Sequence, residues 1–106
     1  MSWQRDRDVG FEEQYAHRQE VEFKAAAHRN RLLGQWAARK MGLDGPKADE
    51  YVATLVTGDV AHLRGHGAID KVIQDLKAAG VSVPDLEVRA EFERLDHEAA
   101  RLYRES

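Results

Sequence analysis

The groups in this chain that could do chemistry are a run of five cations, an asparagine set among them, a pair of histidines and a histidine beside carboxylates. Lys24, Arg29, Arg31, Arg39 and Lys40 fall within residues 23–43, a stretch without a single Asp or Glu. Cations clustered on one helix are the electrostatic footprint of a phosphate binder. They are also what a helix shows when Arg29 and Lys40 lie over core edges beside Leu33 and Trp36, or pair with carboxylates of a neighbouring helix. The formal net charge of −3 favours the solvated or paired face and gives no general affinity for nucleic acid.

Asn30 is the polar residue on an otherwise small apolar stripe. Its amide is expected to satisfy a loop carbonyl or another buried group; the competing role is a nucleotide contact shared with Arg29 or Arg31, although no Gly-rich phosphate loop accompanies it. His62 and His66 stand four apart, as two metal ligands on a helix would, but no third ligand follows at a useful spacing, so they read as exposed loop histidines and no metal is expected. His17 lies near Glu13, Glu20 and Glu22. Its protonation near neutral pH would alter how that segment docks, the other reading being a plain surface histidine.

Catalysis finds no support. The chain has no cysteine, its serines and threonines are Ser2, Thr54, Thr57, Ser82 and Ser106, and nucleophile-elbow, phosphate-loop and two-histidine zinc motifs are missing. No cofactor and no enzymatic role are expected. At 106 residues with 42% hydrophobic content, one domain with a modest core is predicted. No apolar run approaches the ~18 residues of a membrane span, and the first residues lack a signal-peptide apolar region, which predicts a cytoplasmic protein without membrane insertion.

The elements that would position these groups are helical. Phe23, Ala26, Ala27, Asn30, Leu33, Gly34, Ala37 and Met41 recur at steps of three and four, and their small size predicts close approach by a partner helix. Leu32 and Trp36 widen that arc, with Trp36 as a core anchor. Carried back to Phe11 and stopped by Gly42, this helix would measure roughly 46 Å. Its first part is acidic, with six Asp or Glu against Arg7 and Arg18 between Asp6 and Glu22, an order the macrodipole favours.

Three more helices follow. Pro46 opens one whose face is Tyr51, Val52, Leu55 and Val56. After a loop at Asp59–Gly67, with a brief turn at Val60–Leu63, Ile69, Val72, Ile73, Leu76 and Ala79 predict another, stopped by Gly80. Ser82-Val83-Pro84-Asp85 offers a capping start to the last, along which Val88, Phe92, Leu95, Ala99 and Leu102 form a heptad-like seam. The fold class is all-α: a four-helix bundle, long, short, short and long, whose first helix is longer than its partners and projects or frays at its start.

The stretch Phe23-Lys24-Ala25-Ala26-Ala27-His28-Arg29-Asn30-Arg31-Leu32-Leu33-Gly34-Gln35-Trp36-Ala37-Ala38 resembles the Phe-Lys-x-x-x-Arg-Arg-Asn-Lys-Leu-Leu-Gly-x-Trp-Ala-Ala signature of the zeta subunit, the ATPase-inhibitor subunit of alphaproteobacterial F-type ATP synthases. Arg7, Phe11-Glu12 and Tyr15-Ala16-His17 resemble that family's Arg-Glu-x-x-Phe-Glu-x-x-Phe-Ala-His segment. Tyr51, Asp59, Lys71-Val72 and Asp75-Leu76 also fall in family order. The chain departs at Val9-Gly10, where better helix formers are usual, and at residues 60–67, where an acidic stretch is replaced.

The resemblance implies a regulatory subunit in two parts: residues 1–22 as an acidic, aromatic-bearing inhibitory arm, and residues 23–106 as the bundle. Arg7, Phe11, Glu12, Tyr15, Ala16 and His17 would be the partner-binding residues of the arm, and Phe23, Asn30, Leu33, Gly34 and Trp36 the structural signature. The implied partner is the soluble head of the ATP synthase, with its α, β and γ subunits, where the arm would enter a catalytic α/β interface and block ATP hydrolysis. The free protein would be a monomer, cytoplasmic, and peripheral to the inner membrane when bound. The alternative is a stand-alone helical adaptor for another protein, with weak nucleotide binding.

Overall fold

A computed structural model describes the backbone of residues 2–57 and 66–104 and the side chains of residues 17–57 and 66–103. Four helices and no strand occur among the described residues: α1 (Ser2–Lys40), α2 (Gly45–Val56), α3 (Gly67–Ala78) and α4 (Asp85–Arg104). The expected order of long, short, short and long is the observed one. The expected turn at Val60–Leu63 lies outside the described residues.

Two glycines end helices as the sequence predicts. Gly42 and Gly80 both take φ 74°, a conformation costly for residues with a Cβ. At the first, the Leu43 amide donates to the Ala38 carbonyl at 2.9 Å and the Gly42 amide to Arg39 at 3.1 Å; at the second, Val81 donates to Leu76 at 2.9 Å and Gly80 to Lys77 at 3.0 Å. This pair of bonds satisfies carbonyls that the last helical turn leaves open. The start of α4 differs from expectation. It begins at Asp85, and the Pro84 carbonyl accepts from Glu87 and Val88, so Ser82 lies too far upstream to cap it.

Helix α1 is the spine. Arg29 meets Asp96 and Lys40 meets Glu87, so residue numbers fall along α4 as they rise along α1 and the two helices run antiparallel. Helix α2 folds back on another side, bringing Val52 and Leu55 against Gly34. Helix α3 closes the bundle, and Leu33, Ala37, Leu55, Ile69, Val72, Leu76, Val88, Phe92 and Leu95 form the buried core. Trp36 is only partly buried at its edge, with the Lys40 ammonium 5.6 Å from its ring centre.

Length mismatch decides what stays uncovered. With 39 residues in α1 and 20 in α4, the spine exceeds its longest partner by roughly 28 Å at the standard rise. The radius of gyration, 17.4 Å, accordingly exceeds the ~13 Å of a compact chain this long. Two residues assigned to buried faces from their spacing are exposed for this reason: Phe23 at 41% and Leu102 at 52%. The α2 carbonyl end reaches α1 only at Asn30, two turns after Phe23, and α3 begins opposite Phe92, well short of Leu102.

The closest helix approach is testable at Gly34. A Cβ there would stand 3.1 Å from Leu55 Cδ1 and 3.2 Å from Val52 Cα, one of them backbone and the other on a fully buried side chain. Overpacking of about 1–3 kcal/mol outweighs the gain of up to about 1 kcal/mol from replacing a helical glycine. Gly34→Ala should therefore lower the urea midpoint by about 1 kcal/mol of stability at unchanged m-value. A midpoint equal to or above that of the unmodified protein would show that α2 does not press on this position.

Candidate functional site

Arg29 is the one cation of the run that the fold takes inside, leaving it 6% exposed. A buried guanidinium needs partners around its plane, and three are present. Nη1 donates to Asp96 Oδ1 at 3.0 Å, Nε donates to Asn30 Oδ1 at 3.1 Å, and the guanidinium carbon lies 4.4 Å from the centre of the Phe92 ring, within cation–π range.

Asn30, fully buried, extends the contact to a third helix. Its Nδ2 donates to the Leu55 carbonyl at 3.3 Å, one of those left open in the last turn of α2. The amide thus satisfies a buried carbonyl, as its place on the stripe suggested. Together Arg29 and Asn30 tie α1 to α4 and to α2 at the level where burial begins, since the first buried residue of α1 among the described ones is Ala25.

Beside this cluster lies a gap between α1 and α4. A cleft of about 530 Å³ opens between them, floored by Ala25, Ala26 and Ala100 and rimmed by Arg18, Glu22, Arg29 and Asp96. Small residues set its width. The Arg29 guanidinium forms part of the wall, but its bonds to Asp96 and Asn30 turn it toward the bundle.

A second polar junction joins α2 to α3. The Tyr51 hydroxyl donates to Asp75 Oδ2 at 2.9 Å, the same oxygen takes the Lys71 ammonium at 2.7 Å, and that ammonium lies 5.2 Å from the Tyr51 ring centre. Burial first, then the hydrogen bond and charge of Asp75, push the Tyr51 phenol well above the usual tyrosine range. The sequence places Tyr51 on the apolar face of α2 and marks Lys71 and Asp75 only by family order; the i, i+4 spacing from Lys71 to Asp75 is the physical signal for their pairing.

The expected arm residues lie on α1 ahead of this grip. His17 is exposed, while the side chains of Arg7, Phe11, Glu12, Tyr15 and Ala16 lie outside the described residues. His28 is half-buried, its ring 5.5 Å from Tyr103 and its Nδ1 enclosed without a partner. His62 also lies outside the described residues, and His66, at the start of α3, meets the Phe92 ring edge at 5.5 Å. Among the described residues no helix is long and apolar enough to cross a membrane.

Comparison with known families finds one that fits nearly the entire length: the family model described as ATPase inhibitor subunit zeta matches residues 1–102. No curated protein matches the chain.

Two junctions generate measurable expectations. Asp96→Ala leaves the Arg29 charge enclosed; because the carboxylate is 49% exposed and water shares its load, the expected loss is about 1–3 kcal/mol rather than the larger cost of a dry pair. Arg29→Met, which removes the charge but keeps volume, should cost less than Asp96→Ala in urea unfolding, and the reverse order would show that the ion pair does not hold α4. For Tyr51 the folded state binds its proton more tightly than the unfolded chain, so its contribution is complete below the unfolded value of about 10 and is lost as pH rises through the higher folded value. Tyr51→Phe should be less stable than the unmodified protein at neutral pH by about 0.5–1.5 kcal/mol, with the gap closing in strong alkali. A gap independent of pH would remove the phenol–carboxylate bond from this account.

Proposed function

The chain belongs to the family of ATPase inhibitor subunit zeta, and from that membership we propose that it restrains an F-type ATP synthase by inserting the first part of α1 at a catalytic α/β interface of the soluble head. The bundle is the body of the device and residues 1–22 are its arm. Once inserted, the arm obstructs the rotation that accompanies ATP hydrolysis. The chain regulates and performs no chemistry itself.

The observation that carries this reading is the overreach of α1. Its helical backbone begins at Ser2, and about 35 Å of helix, at 1.5 Å per residue, precedes the first residue described as buried. An amphipathic or aromatic-bearing helix docks into a groove when the partner supplies one, and Phe11 with Tyr15, four apart, would share a face. Arg7, Glu12 and His17 would then meet the polar margin of the groove, with Ala16 allowing close approach. The site of action is the cytoplasmic face of the inner membrane, where the protein arrives as a monomer.

Titration into the cognate ATPase tests the assignment. The full chain should inhibit hydrolysis, and a version lacking residues 1–19 should lose at least about tenfold in potency, or 1.4 kcal/mol of binding, while circular dichroism shows the bundle still folded. Equal inhibition by the shortened chain would sink the arm mechanism. A pull-down that returns a different protein without α, β and γ subunits would favour the free-standing adaptor instead.

A further inference from the structure

Five cations occupy residues 23–43; two of them are held by α4 and a third pairs within α1. Arg29 is buried against Asp96, Lys40 lies 3.7 Å from Glu87, and Lys24 holds Glu20 at 3.1 Å in a pair of which both members are more than half exposed. Arg31 and Arg39 are exposed and have no ion pair within the described residues. Arg94, by contrast, takes both Glu91 and Glu98, whereas the exposed Arg89 and Arg101 of α4 resemble Arg31 and Arg39 in lacking an ion pair among the described residues.

Lys24, Arg31 and Arg39 follow one another at steps of seven and eight, which places them along one side of α1 at intervals of roughly 10 and 12 Å. Gln35, also exposed, sits between the arginines. Arg31 is about 160° round the helix from Leu33 and Arg39 about 160° from Ala37, both fully buried, and the stripe's one buried border is the small Ala38, next to Arg39. No acidic side chain of residues 23–43 interrupts it.

We propose that this outward stripe of α1, Lys24, Arg31 and Arg39, is a docking surface for carboxylates on the surface of the ATPase that the chain regulates. The inference rests on the partner assigned above and adds a second point of attachment to it. Guanidinium groups bind carboxylates through two parallel bonds in a fixed plane, so a stripe of two arginines sets orientation as well as attraction. With the bundle held this way, entry of the arm becomes an event within one complex, at raised effective concentration.

Discrete carboxylates suit the stripe better than other anions do. A nucleic acid would meet three cations here and six carboxylates between Asp6 and Glu22 on the same helix, opposing the uniform charge that drives such binding. A bilayer would require apolar side chains next to the cations. Among the described residues the exposed large apolar ones are Phe23, Leu86 and Leu102, two on α4 and the third about 100° round α1 from Lys24.

The test measures binding of the full-length chain to the cognate soluble ATPase by surface plasmon resonance at low and physiological salt. Arg31→Glu with Arg39→Glu should weaken affinity at least about tenfold and flatten its salt dependence. Arg101→Glu, a reversal at an exposed arginine on α4, should leave affinity unchanged, and melting curves of both should match the unmodified protein. Phe11→Ala with Tyr15→Ala, in the full chain, reports on the arm separately. Unchanged affinity for the double reversal, or an equal loss for Arg101→Glu, overturns the docking surface. Loss on the double reversal with normal inhibition by the aromatic variant overturns arm insertion and leaves the docking surface standing, whereas failure of the unmodified chain to bind the ATPase overturns both.

Discussion

Enclosing the Arg29 guanidinium is the constraint from which the rest of the bundle follows. A charge 6% exposed is tolerable only where every direction offers a compensating group, and here those groups come from the same helix and from α4, with α2 reached through Asn30. The Phe92 ring under the guanidinium and the Asp96 carboxylate beside it come from α4 in one register, and the Asn30 oxygen comes from α1 itself. A shift of one helical turn, about 5.4 Å along the axis, would carry both Asp96 and the Phe92 ring away from the guanidinium. The apolar core alone is less exacting, since its small and branched residues repeat along each helix.

Once register is fixed, chain length does the rest. The two short helices cover the carboxyl-terminal part of the spine, from the Asn30 level to the glycine stop at Gly42, and α4 covers somewhat more. Grip is tight toward the carboxyl end of α1, where Gly34 lets α2 approach, and loosens toward the amino end, where Ala25, Ala26 and Ala100 leave a cleft. Along α1 the packing thus grades from close contact to an open cleft without any break in the helix.

Much of this was legible in the sequence. The glycine stops at Gly42 and Gly80, the four-helix order and the small-residue face of α1 are local or periodic signals, and the structure follows them. Pairing of Arg29 and Lys40 with carboxylates on the last helix was also foreseeable, because a carboxylate-free run needs acids from elsewhere. What periodicity could not give was extent. It assigns a face to Phe23 and Leu102 but says nothing of whether a neighbour reaches that far, and both lie past the ends of the shorter helices. Nor could it place Ser82, since Pro84 supplies the first accepting carbonyl of α4 whatever hydroxyl precedes it. The Tyr51–Asp75 contact joins two helices whose separation in sequence is bridged by a loop, so only tertiary geometry reveals it.

If residues 1–22 act as the arm proposed above, the bundle also prepares them for docking. An isolated helix must overcome a nucleation factor on the order of 10⁻³, whereas extension by each good helix former is close to neutral, with propagation constants of about 1–1.6. In α1 the bundle has already nucleated the helix at Ala25, so the residues ahead of it need only propagate. Their helicity is nearly balanced, with Gly10 costing about 0.8–1 kcal/mol relative to alanine and exposed pairs such as Glu20–Lys24 returning about 0.2–0.5 kcal/mol. A segment so poised has little conformational entropy left to lose on docking as a helix, and little internal stability to resist being reshaped. Burial of Phe11 and Tyr15 in a partner groove would therefore decide its final form, and the bundle, by supplying the nucleus, lowers the ordering cost that binding must meet.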